Sequence, residues 1–204
     1  YAPVILERGA DVDARQADVE AFWQTGRLKP DSNVQFGEGG AGTFSDGKLN
    51  TLVKDKYGRN TEVLKTFVKH GADPAILYQG KPHIGTDVLS KVVKSMREEI
   101  LRMGGKVRFH SQVTEILTEN GQVTGVKVND TEVLPCEQVV LAPGHSARDT
   151  FSMLHRKQFP MSAKPFAVGF RVEHPQSLIN MSQYGAESVK GLGAAAYKVT
   201  AKTS

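Results

Sequence analysis

Three observations predict an α/β fold. Val4-Ile5-Leu6 and Val139-Val140-Leu141-Ala142 are short, wholly apolar runs, the length and composition of strands buried in a parallel sheet. Between them Val88, Leu89, Val92, Val93, Met96, Ile100 and Met103 recur at helical spacing. From Lys106 the apolar period changes to two, through Val107 and Phe109, Val113 and Ile116, then Val123, Val126 and Val128, which predicts a strand followed by an antiparallel meander.

The elements follow in order. Val4 to Leu6, closed by Glu7, Arg8 and Gly9, is expected to be a buried strand. Val12 to Gln24 reads as a polar helix with Val19, Phe22 and Trp23 on one side. Residues 37–48 hold five glycines in twelve, so the backbone there must take unusual conformations or approach something closely. Thr61 to His70 is a second helix closed by Gly71, and a third starts with Thr86 as N-cap and ends at Gly104. A strand over Lys106 to Phe109 comes next, and Glu119-Asn120-Gly121 and Asn129-Asp130 are the turns of the meander. Gln138 to Ala142 is the next expected strand, Pro143-Gly144-His145-Ser146 its turn, and Ala147 to His155 a helix. Lys164-Pro165 leads into an expected strand near Phe166 to Glu173, and a helix starts at Pro175.

Twenty-six Lys and Arg against 22 Asp and Glu leave a net charge of +4, with no run of five or more like charges. That pattern is a solvated surface and does not favour a nucleic-acid or membrane partner. The single cysteine, Cys136, leaves no internal disulfide and no CxxC pair, which fits a reducing compartment. With neither a signal peptide nor an apolar stretch of spanning length, a cytoplasmic location is expected. The chain enters in mid-strand and its residues 191–204 finish no element, so truncation at both ends is expected.

Several residues suggest chemistry. In a dinucleotide-binding fold the second strand ends in an acid, because a carboxylate accepts hydrogen bonds from both ribose hydroxyls. Glu7 sits where that acid would be, while the Gly-rich turn expected roughly 20 residues earlier does not occur in the sequence. His70, His110 and His155 lack a partner at i+3 or i+4 and read as surface or helix-end residues, and His174 before Pro175 reads as a turn residue. No histidine or cysteine grouping has metal-ligand spacing.

The stretch Glu38-Gly39-Gly40-Ala41-Gly42-Thr43-Phe44-Ser45-Asp46-Gly47-Lys48-Leu49-Asn50-Thr51 resembles the signature of the bacterial NAD(FAD)-utilising dehydrogenases. These are FAD-dependent proteins of the glutathione-reductase-like superfamily. The resemblance continues through Lys81-Pro82-His83-Ile84-Gly85-Thr86-Asp87, through Leu141 to Asp149, and through Lys164 to Gly169. It implies a Rossmann-like FAD-binding domain with an inserted β-meander, lacking the GxGxxG loop. Residues 1–163 would be that partial domain, with the meander at about 112–134, and residues 164–204 the start of a substrate or cap domain.

The resemblance also implies a site. Glu7 and Arg8 would meet the adenosine half of FAD. Gly39, Gly40, Gly42, Thr43, Ser45, Asp46, Gly47, Lys48 and Asn50 would form the loop along the flavin, where glycine permits close backbone approach and free N–H groups. Gln112 and Val113 match the place where relatives hold adenine through backbone groups, and Ala142, Pro143 and Gly144 match a turn near the cofactor. Lys48 is the candidate cation at the flavin's carbonyl edge, and His83 and His145 are candidate proton donors. Cys136 has no partner, so the dithiol chemistry of glutathione reductase itself is not supported.

The expected function is an FAD-dependent oxidoreductase acting on a small-molecule substrate, with NAD(P)H as candidate electron donor. A flavin-dependent RNA-modifying or RNA-binding protein is one alternative, although no aromatic-basic clustering supports it. A non-catalytic FAD-fold scaffold is another. The sequence names neither substrate nor oligomeric state.

Overall fold

A computed structural model of the chain describes residues 2–44, 49, 54–79, 83–164, 168–170 and 172–197. Helices and strands are mixed, and the chain divides into two compact units, Tyr1–Pro160 and Met161–Ser204. No helix among the described residues is long and apolar enough to cross a membrane.

The first unit opens with β1 (Val4–Leu6) and α1 (Val12–Thr25). Asp11 caps α1, its Oδ1 accepting the N–H groups of Asp13 at 3.0 Å and Ala14 at 3.2 Å, and Gly26 ends the helix in the left-handed region. Within α1, Val19 is buried but Trp23 is 70% exposed and leans only on Phe22, with ring centroids 5.1 Å apart. The expected three-residue face is therefore narrower than the spacing predicts.

Two helices and a turn of 3-10 helix follow. They are α2 (Arg59–Lys69), Pro74–Leu77, and α3 (Thr86–Arg102). Gly85 occupies the N-cap position of α3, so Thr86 starts the helix instead of capping it. Ala72, Ile76, Ile84, Leu89 and Val92 form one core, against which Leu49, Leu64 and Phe67 pack. On the polar side His70 joins α2 to α3. Its Nδ1 lies 2.9 Å from Ser95 Oγ and its Nε2 2.8 Å from Glu99.

After the crossover, β2 (Lys106–Arg108) pairs with β1 in parallel, with Ile5 opposite Val107. Glu7 N–H extends the pair by donating to Arg108 O at 2.9 Å. The meander then forms from β3 (Val113–Glu119), β4 (Gln122–Val128) and β5 (Glu132–Pro135), antiparallel in the order β3-β4-β5. Asn120 and Gly121 take φ of 50° and 78° between β3 and β4, the two-residue hairpin that an Asn-Gly pair favours. Helix α4 (Arg148–Arg156) lies against β3, and Met153 and Leu154 bury Ile116.

Among the described residues two expected strands do not form. Residues 138–142 are apolar but carry no ladder, and Val140 is 93% exposed. An apolar run becomes a strand only beside a partner offering a free edge. Among the described residues β1 pairs with β2 alone, and neither strand reaches 138–142. The described residues between 168 and 173 are likewise irregular, with Phe170 99% exposed.

The second unit contains α5 (Gln176–Tyr184), ended by Gly185 in the left-handed region. Asn180 ties this unit together, its Oδ1 accepting Ala195 N–H at 3.0 Å and its Nδ2 donating to Glu187 O at 2.6 Å.

Charge pairing across the first unit sets its acid response. A hydrogen bond from Lys69 leads in holding Glu99 below the ordinary carboxyl value, as hydrogen bonds from Lys157 and Arg108 do for Glu115 and Glu132 and one from the Thr61 hydroxyl does for Asp55. A carboxyl depressed in the folded state stabilises it above the unfolded value, near 4.5 for Glu and 3.8 for Asp, and that contribution is lost as pH falls through the folded value. The urea midpoint should be flat from neutrality to about pH 5 and fall steadily below about pH 4.5. A midpoint constant down to about pH 3 would show that these pairs do not stabilise the fold.

Candidate functional site

The site is built where β1 ends. Glu7 is half-buried there, and its Oε1 accepts the N–H of Gly9 at 2.8 Å and of Gly37 at 3.0 Å. The acid thus joins its own strand end to the entry of the glycine loop. Its second oxygen has no hydrogen-bond donor among the described residues and remains an open acceptor.

The loop itself is anchored from three sides. Glu38 is buried. Its Oε2 accepts Val12 N–H at the start of α1 at 2.8 Å, and its Oε1 lies 2.8 Å from Arg97 Nε on α3. The Arg97 contact is an ion pair at that distance, although Nε has no partner in hydrogen-bond geometry. A carboxylate at a helix N-terminus is favourable in itself, since the first N–H groups have no partner within the helix. Beneath the loop Arg15 has no exposed surface. It donates to Asn33 O at 2.8 Å, Gly37 O at 3.3 Å and Glu38 O at 2.6 Å, and lies 4.8 Å from the centre of the Phe44 ring. Burial lowers its pKa to about 10, against the charges of Glu7 and Glu38, which act to raise it.

Three loop residues differ in what they face. Gly39 has φ of +83°, and a Cβ there would lie 2.0 Å from Thr43 Oγ1, so the protein itself fills that space. Gly40 has φ of +65°, and no described atom lies within 4 Å of a Cβ at Gly40 or at Gly42. Thr43 is fully buried and its hydroxyl has no hydrogen-bond partner.

On the other side of Glu7 the chain turns from β2 into β3. Ser111 N–H donates to Glu7 O at 2.9 Å, and Asn129 clamps the turn, accepting Gln112 N–H through Oδ1 and donating its own N–H to Gln112 O, both at 2.9 Å. The main chain of Gln112 is therefore engaged by Asn129. Val113 pairs opposite Val128 at the first position of the ladder. The side chain of Gln112 is what faces outward, and its Nε2 donates to Asp149 Oδ2 at 2.6 Å.

Asp149, in the first turn of α4, also receives Arg8. Arg8 Nη2 lies 3.0 Å from Oδ1 and 2.9 Å from Oδ2, and its guanidinium carbon stands 4.4 Å from the centre of the Phe36 ring. Partial burial acts to raise the Asp149 pKa. The Arg8 hydrogen bond and the N–H groups of the α4 start outweigh it, and the carboxyl lies below its ordinary value. A cleft of about 210 Å³ adjoins this cluster, lined by Gln112, Val113, Asp130, Asp149 and Arg156 among others. Typical small-molecule sites span roughly 300–1,000 Å³, so this one has room for one end of a ligand. A larger hollow of about 780 Å³ beside Cys136 contains none of the residues the sequence singles out as binding.

Glu7, Arg8, Gly39, Gly40, Thr43, Gln112 and Val113 are thus joined around one strand end. Gly42 lies in the same loop. His83 is exposed, as are Ala142, Gly144 and His145, while Pro143 is half-buried. Among the described residues no side-chain hydrogen bond or ion pair ties His83 or His145 to the cluster. Ser45, Asp46, Gly47, Lys48 and Asn50 lie outside the described residues. Arg15, Glu38 and Asp149 escape the sequence reading as site residues. Glu38 and Asp149 stand within the motifs that carry the resemblance, whereas Arg15, in a polar helix, gives no signal.

Two similarities bear on identity. A protein of Clostridium beijerinckii described as an uncharacterized protein is 51% identical over 201 residues, which cover 98% of this chain and 37% of that relative. The chain therefore spans a little over a third of the relative's length. Residues 165–204 match the family described as FAD-dependent protein, C-terminal domain-like, and that match supports an FAD-dependent family for this chain.

Proposed function

We propose that this chain belongs to an FAD-dependent oxidoreductase and contributes residues that hold the cofactor. One observation carries the reading: a glutamate ending a parallel strand is fixed by the glycine loop on one side, and on the other its carbonyl accepts the Ser111 N–H of the turn that leads to the Gln112 cleft. The residues fit the group. Glu7 keeps an open carboxylate oxygen, Gly40 offers bare backbone with free space beside it, and the cleft has room for one end of a dinucleotide. In this arrangement Glu7 binds ribose hydroxyls, residues 39–43 lie along the cofactor, and Gln112 and Val113 border the adenine end. Bound FAD supplies the redox chemistry, and the chain supplies binding and orientation.

Glu7→Gln tests the assignment in the full-length protein. The amide oxygen still accepts from Gly9 and Gly37, while the charged acceptor for ribose is lost. FAD affinity should fall by about 1.5 to 3 kcal/mol, roughly tenfold to 150-fold, with thermal stability nearly unchanged. Unaltered affinity by calorimetry makes Glu7 a structural acid only. The oxidoreductase assignment has its own check: anaerobic addition of NADH or NADPH should bleach the flavin absorbance. Bound flavin that neither nucleotide reduces favours the scaffold alternative.

A further inference from the structure

We propose that Asp149 is a specificity-determining residue, which holds Arg8 and Gln112 so that the cleft takes an adenosine diphosphate with an unphosphorylated ribose and rejects a 2′-phosphate. The inference deepens the FAD-binding reading and rests on it.

An arginine beside the acid that ends a strand is well placed to take a 2′-phosphate, because a free guanidinium binds phosphate through paired hydrogen bonds. Here one end of the guanidinium is already committed. Its Nη2 reaches both oxygens of Asp149, at 3.0 and 2.9 Å, and also lies 3.4 Å from Thr150 Oγ1. The Phe36 ring covers it at 4.4 Å. Only 14% of the Arg8 side chain is exposed, so it has little freedom to turn toward an anion.

The same carboxylate fixes the lip of the cleft. Gln112 is 37 residues away in sequence and Arg8 is 141 away, yet both end on Asp149, which joins the β1 end, the β2–β3 turn and the start of α4. The charged residues that line the cleft are Asp130 and Asp149 against Arg156. That balance is net negative, which opposes a dianionic phosphate and suits neutral ribose hydroxyls. Asp149 acts through its neighbours and is a positioning residue.

The test uses the full-length protein with ADP and 2′-phospho-ADP as probes, titrated by calorimetry beside FAD. Wild-type protein should bind ADP at least about tenfold more tightly than 2′-phospho-ADP. Asp149→Asn frees Arg8 and removes one negative charge. It should weaken ADP about tenfold and narrow or reverse the preference, and Asp149→Glu should restore part of it. A merely structural role would lower both affinities together and leave their ratio unchanged, which would overturn the proposal. So would an Asp149→Asn protein with both affinities within about twofold of wild type. Should Asp149→Asn not fold, Gln112→Leu keeps the carboxylate and its hold on Arg8. It should weaken ADP while leaving 2′-phospho-ADP rejected, and loss of that rejection would count against Asp149. Wild-type protein that binds FAD but shows either negative result sinks only this inference, whereas wild type that binds neither FAD nor ADP sinks the function proposed above as well.

Discussion

Arg15→Met should unfold the first unit more readily than any other substitution in α1, by roughly 3 kcal/mol. Methionine keeps the apolar stem of the side chain but ends short of the guanidinium, so the contact with Phe44 is lost together with the hydrogen bonds. Two carbonyls, of Asn33 and Glu38, lose their donor in a place where water has no access to Arg15, while Gly37 O keeps the Gly40 N–H. Each unsatisfied carbonyl costs about 1 to 3 kcal/mol, and the two costs overlap because the loop can shift as a body. Against this stands a gain, since the buried guanidinium is itself disfavoured, with one Nη2 lacking any partner. The net loss corresponds to a drop in melting temperature of about 6 to 12 °C for a chain of this size. Arg15→Lys should recover little of it, because a single ammonium does not reproduce the planar fork that reaches three acceptors. A melting temperature within about 2 °C of wild type would mean that the loop does not depend on Arg15.

Such an arginine shows why parts of the site are invisible in the sequence. Arg15 lies in Val12–Thr25, a helix without an apolar stripe, where charged residues ordinarily face water. Its burial follows only from where residues 33–38 cross it, a long-range fact with no local signature. Glu38 is similar. The residue stands at the head of a recognisable loop, but its work, capping α1 and pairing with Arg97, needs three elements in place. The meander is the opposite case, because Asn120-Gly121 specifies its own turn and the period-two pattern specifies the faces. Helix α3 is equally legible, its apolar spacing reporting directly on the core it builds. Residues 138–142 mislead for a physical reason. Apolar composition expresses a tendency to be buried, whereas a strand also requires a hydrogen-bonding edge that the run does not itself encode.

The glycine loop yields the sharpest comparison, because two adjacent glycines answer different questions. Gly39→Val meets two obstacles: a β-branched residue at φ of +83°, and a Cβ 2.0 Å from the buried Thr43 hydroxyl oxygen. Left-handed strain costs about 1 to 3 kcal/mol and overpacking a similar amount, so the sum is roughly 2 to 6 kcal/mol and should appear as lost stability even without ligand. Gly40→Val meets only the first obstacle, since no described atom lies within 4 Å of its Cβ position. Its apo-protein should lose no more than about 1 to 3 kcal/mol. If the open space beside Gly40 is where the cofactor lies, the valine also occupies that space, and flavin content should fall further than the stability loss explains. Gly121→Val, in the β3–β4 turn at φ of +78°, carries similar strain away from the loop and supplies the control. The expected order is therefore Gly39→Val first in lost stability, with Gly40→Val set apart from Gly121→Val by lost flavin at matched stability. Equal flavin content in the Gly40 and Gly121 variants would place the cofactor elsewhere and leave residues 37–44 a structural loop.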